Sequence, residues 1–134
     1  MPLTKTLQMV NETEAIVKVS GNSSTPVTIS LASDILAPNQ IVSGTPVVTI
    51  IGFQWAGEPG AIYKIDRNSV RVASLLADNG NFMDFVELFP PENTNVSNDL
   101  TVTIVNSVGA AVQGEVWIRL RKVSGYISPA FTTG

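Results

Sequence analysis

The sequence predicts an all-β fold, an antiparallel β-sandwich of about eight strands, with a jelly roll as the specific topology it admits. Three observations carry this reading. Short runs rich in Val, Ile, Thr and aromatic residues alternate apolar with polar positions, and clusters of Gly, Pro, Asn and Asp separate them at short spacing. No segment carries a sustained helical stripe.

The elements follow in chain order. "AIVKVS" alternates, and after the loop "GNSS" so does "TPVTISL". "LASDILAPNQ" offers one or two helical turns at most before Pro38 stops it. "TPVVTIIGFQWA" is apolar on both faces, and "AIYKI" follows the turn "GEPG". "SVRVASLL", then "NFMDFVELF" after "DNGN", then "DLTVTIVNSV" and "GEVWIRLRKV" complete eight candidate strands. The stretches "MPLTKTLQMVNETEA" and "SGYISPAFTTG" read as extended arms. The expected organisation is therefore one domain over residues 1–134, with an amino-terminal arm over 1–14, a core over 15–123 and a carboxy-terminal arm over 124–134.

The period of two sorts the last strand into faces. Val116, Ile118 and Leu120 point to the core, while Trp117, Arg119 and Arg121 point away from it. With Lys122, the second set forms a strip of three cations beside one of the chain's two tryptophans. Tryptophan and arginine are the residues most enriched at interface hot spots, so the strip is a candidate contact surface. The plainer alternative is an exposed sheet face whose long side chains cover apolar neighbours. Arg71, opposed to Val70 and Val72, joins the strip if its strand is a neighbour. In the central strand Val47, Thr49, Ile51, Phe53 and Trp55 share one face and Val48, Ile50 and Gln54 the other, so both faces need cover.

The composition narrows function by exclusion. A formal charge of −3 lacks the broad basic field of a non-specific nucleic-acid binder, and no apolar run approaches a membrane span or a signal-peptide core. The expectation is a soluble protein made in a cytoplasm. With no cysteine and no histidine, disulfides, thiolate metal sites and the commonest general base are all missing. "DNGNFMD" gathers oxygen-bearing side chains around a glycine as a calcium loop does, but it lacks the ordered ligand spacing, and Asn-Gly is foremost a hairpin signal. "DRNS" invites a reading of Asp66 and Arg67 as a dyad, against the commoner turn with an Asx hydrogen bond. Asp84 and Glu87 are not placed together as an acid/base pair, and "SVGAAVQG" has the glycines of a phosphate loop without its lysine. "NET", "NSS" and "NVS" read as ordinary loop asparagines. No catalytic, cofactor-binding or metal-ligating residue is assigned, and no cofactor is expected. Only 14% of residues are charged, where about 25% is usual, so burial of apolar surface between subunits is expected.

"LQMVNETEAIVKVSG", "IIGFQWAG", "IDRNSVRV" and "WIRLRKVSGY" together resemble a small virion structural protein of tailed bacteriophages, particularly those of marine cyanobacteria. The likeness runs from about Leu7 to Tyr126 and contains no mechanistic motif. It implies a component of the phage particle, located in the virion, and supplies no catalytic residues. The expected role is a decoration or cement protein binding the outer capsid lattice, with the major capsid protein or another virion protein as partner and a homo-oligomer as its form. A neck, tail or fibre component is the first alternative. The second is a carbohydrate-binding β-sandwich using Trp55 or Trp117, of which Trp55 reads as core.

Overall fold

A computed structural model describes residues 3–77 and 97–127. Eight strands lie among the described residues: β1 (Thr4–Val10), β2 (Glu14–Gly21), β3 (Val27–Ile29), β4 (Ile41–Gly57), β5 (Ala61–Arg67), β6 (Val70–Ala77), β7 (Leu100–Val105) and β8 (Gly114–Ile127). They form two four-stranded sheets, in the orders β1-β2-β8-β4 and β3-β7-β5-β6, with every pairing antiparallel. From β2 to β5 the chain deals successive strands to alternate sheets, and β6 then pairs with β5 in the same sheet. The last two then return between earlier ones, β7 between β3 and β5 and β8 between β2 and β4. This is the jelly-roll manner of closing an antiparallel sandwich.

Seven of the strands expected from the sequence coincide with β2 to β8. The eighth, "NFMDFVELF", lies outside the described residues, as do the "DNGNFMD" loop and the carboxylates Asp84 and Glu87. One described strand was not expected: β1 lies where the amino-terminal arm was expected. Asn11 explains the difference: its side-chain Oδ1 accepts from the backbone N–H groups of Thr13 and Glu14, both at 2.8 Å, and its own N–H donates to Glu14 O at 2.9 Å. That Asx-type turn folds Thr4–Val10 back onto β2 as an edge strand. Its register shifts between Leu7 and Met9, an irregularity of the kind that blunts an edge against stray pairing. Residues 124–127, expected to open the carboxy-terminal arm, belong to the last strand. β8 continues to Ile127, and Tyr126 packs against the core.

The core lies between the sheets, where period-two alternation puts Ala15, Val17 and Val19 of β2 and Val116, Ile118 and Leu120 of β8 against Tyr63 and Ile65 of β5 and Leu100, Val102 and Ile104 of β7. The central strand departs from strict alternation. A bulge between Ile50 and Gly52 inserts one residue, so Phe53 and Trp55 turn to the same face as Val48 and Ile50. The two apolar faces predicted for β4 are thus largely one: Phe53 lies opposite Ile118, Trp55 lies opposite Val116, and Trp55 packs against the core.

The "DRNS" segment is the tight connection between β5 and β6. Asn68 and Ser69 have φ of 51° and 61°, the positive pair that a two-residue hairpin of type I′ demands. It separates the supposed dyad. Asp66 faces out and pairs with Arg71, while Arg67 points inward and is fully buried. In "LASDILAPNQ" the helical tendency amounts to a single turn, closed by Asp34 N–H donating to Ser30 O at 2.9 Å.

Candidate interaction surface

The outer face of the first sheet is built from β2, β8 and β4, whose registers align Glu14, Ile16, Lys18 and Ser20 with Arg121, Arg119, Trp117 and Glu115. On the other side of β8, Thr49, Gly52, Gln54 and Ala56 face the same four residues. Trp117 therefore stands in the middle of the face, half-buried, with Lys18 on one flank and Gln54 on the other. Arg121 is exposed.

The charges of this face are arranged in diagonal cross-strand pairs. Arg119 donates through Nε at 3.0 Å and through a terminal guanidinium nitrogen at 2.9 Å to Glu14 Oε1. Lys18 Nζ lies 3.7 Å from Glu115 Oε2. These diagonals follow from the register, because the long side chains of Arg and Lys reach the residue one pair along. The face carries three cations, Lys18, Arg119 and Arg121, against two carboxylates, so it is close to neutral rather than a basic strip.

Two of the expected strip residues belong elsewhere. Lys122 is in phase with Ile118 and Leu120, so it points inward and is 8% exposed. Its Nζ donates to Asn11 O at 2.9 Å and to Gln40 Oε1, and sits 5.4 Å from the centroid of the Tyr126 ring. Burial holds its ammonium down, from an ordinary 10.5 to about 8, with the charge of Glu12 pulling the other way. Arg71 is on β6, in the second sheet, so no strand pairing brings it beside β8. Its guanidinium pairs with Asp66 and reaches Ser74 Oγ at 3.3 Å.

A second group of residues, to which no sequence motif assigns a role, gathers at one end of the sandwich. Arg67 is fully buried and donates to Val48 O at 2.8 Å, across the two sheets, and to Asn98 O at 3.0 Å. Tyr126 donates its hydroxyl to Leu31 O at 2.6 Å, and burial pushes its pKa up to about 12, with Asp99 raising it further and Arg67 opposing. Gln40 is buried, accepts from Ala37 N–H at 3.0 Å and donates through Nε2 to Glu12 O at 3.0 Å. The signal for both inward cations was parity: Arg67 continues the Tyr63, Ile65 series as Lys122 continues the Ile118, Leu120 series.

Comparison of the chain with protein-family models, with curated proteins and with solved structures gives no match.

Proposed function

We propose that this protein is an accessory structural component of a phage particle, a decoration or cement protein that docks on the outer capsid lattice through the outer face of its first sheet. The observation that carries the docking surface is the arrangement around Trp117, a half-buried indole on a flat face whose neighbouring charges are already paired. Pre-paired charges cost less to desolvate against a partner than free ones, and a central aromatic supplies contact area. The edge strand beside this face adds apolar surface, with Leu7 and Met9 each 37% exposed. The phage context comes from the sequence resemblance, and the sandwich is an architecture that capsid and lectin domains both use.

The test is the copy number and position of the protein in purified virions, by quantitative gel analysis followed by imaging. A stoichiometry equal to that of the major capsid protein, or a simple fraction of it, supports lattice binding. A few copies at one vertex moves the protein to the neck or tail, and absence from the particle overturns the virion assignment. Glycan binding is the second reading, favoured by one observation: Trp117 has polar neighbours in Lys18 and Gln54 on an outer face. Glycan-array binding lost on Trp117→Ala would support it.

A further inference from the structure

Three polar or charged residues are buried among the described residues, Gln40, Arg67 and Lys122, and two of them are in direct contact. Lys122 Nζ lies 2.5 Å from Gln40 Oε1, across 82 residues of sequence. Gln40 is 4% exposed and Lys122 8%. A buried lysine usually faces a carboxylate or a set of carbonyls; here it faces the carboxamide of a glutamine, the one uncharged side chain besides asparagine that an amine can acylate itself upon.

We propose that this site is a modification site, at which Lys122 and Gln40 form an intramolecular isopeptide bond that ties β8 to the segment leading into β4. The inference goes beyond the virion reading and does not rest on it.

The surroundings favour the reaction in several ways. The Ala37 N–H donates to Gln40 Oε1 at 3.0 Å, where negative charge develops when an amine adds to Cδ. Gln40 Nε2, the leaving nitrogen, is held by Glu12 O at 3.0 Å, which fixes the orientation of the carboxamide. Burial lowers the Lys122 pKa to about 8, so an appreciable fraction of the amine is neutral and nucleophilic near neutrality. Close confinement of the two groups replaces a bimolecular encounter.

The balance is simple. The lysine ammonium gives up one proton and its nitrogen lone pair bonds to Gln40 Cδ, sending the carbonyl π pair onto Oε1. The oxyanion then re-forms the carbonyl, the Cδ–Nε2 bond breaks, and the nitrogen leaves as ammonia after taking a second proton from Nζ. The released first proton converts that ammonia to ammonium. One ammonium and one primary amide become one secondary amide and one ammonium ion, with no oxidant, reductant or metal consumed.

The experiment is intact-mass spectrometry of the folded full chain, fresh and after prolonged incubation at neutral and mildly alkaline pH, followed by tryptic mapping. The expected result is the loss of one ammonia and a branched peptide joining the fragments that hold Gln40 and Lys122, with cleavage after Lys122 lost. In Lys122→Arg and in Gln40→Met the branched peptide is absent. A folded protein that keeps its full mass after incubation overturns the proposal. So does an ammonia loss that maps to cyclisation at Asn79–Gly80, with Gln40 and Lys122 still in separate linear peptides.

Discussion

The two ends of the sandwich close in opposite ways. At one end Tyr63 lies fully buried and donates its hydroxyl to Ala56 O, and the chain makes room for that hydroxyl with glycines: a Cβ at Gly57 would fall 2.1 Å from it and one at Gly114 2.6 Å. Gly57 and Gly114 are register partners, so the space is made on both strands at the same level. At the other end two cations, Arg67 and Lys122, satisfy carbonyls of Val48, Asn98 and Asn11 and the carboxamide of Gln40. A neutral hydroxyl is satisfied by one acceptor and a matching space, whereas a buried cation needs several acceptors or it leaves an unpaid desolvation cost. The first end is therefore sensitive to volume, and the second to charge and pH.

Four predictions sharpen this contrast. Arg67→Met should have the largest effect, destabilising by about 3–5 kcal/mol, because the buried Val48 carbonyl and the part-buried Asn98 carbonyl both lose their donor. A fall in the urea midpoint at unchanged slope checks it.

The second concerns pH. The folded Lys122 titrates near 8 and the unfolded one at 10.5, so between these values the unfolded chain binds more protons and stability rises with pH, by roughly 2–3 kcal/mol over the whole window. Below about 8 the penalty is fully present. Tyr63 and Tyr126, each pushed from 10.0 up to about 12 by burial, act with the opposite sign, and their contribution is lost as pH rises from 10 through 12. Stability from these three groups should peak near pH 10, and Lys122→Met should abolish the rise while leaving the fall. Protein carrying the proposed isopeptide bond should show no rise either, because its Lys122 nitrogen no longer titrates.

The volume-sensitive end gives the third prediction: Gly57→Ala costs about 1–3 kcal/mol through overpacking, and Tyr63→Phe in the same chain restores part of it by removing the hydroxyl. A double-mutant cycle by chemical denaturation measures the coupling. The smallest effect belongs to neither end. Arg119→Ala on the outer face should cost only about 0.2–1 kcal/mol, since the Glu14 pair is partly exposed.

How much of this was legible in the sequence depended on whether the information was local. Alternation and turn chemistry gave β2 to β8 and the Asn68-Ser69 hairpin, because each is set by residues within a few positions. β1 was read as an arm because Thr4–Val10 is largely exposed and its strand character comes from pairing with β2. The bulge at Ile51 was hidden, and with it the common face of Val48, Ile50, Phe53 and Trp55, since one inserted residue inverts every later side chain. Arg71 was linked to the strip only on the condition of strand adjacency, which is a long-range property. Lys122 is different: its even-numbered parity was available, and grouping it with its sequence neighbours by charge overrode the geometry.

The buried polar groups at the ends hold the fold, and the outer face around Trp117 and Arg121 is the surface proposed to meet a partner. The most direct measurement combines Trp117→Ala with Arg121→Glu and compares thermal unfolding of the isolated protein with its occupancy on purified particles. The expected result is a melting temperature close to the parent's with occupancy lost. Particles that retain the doubly substituted protein at parental occupancy would contradict it.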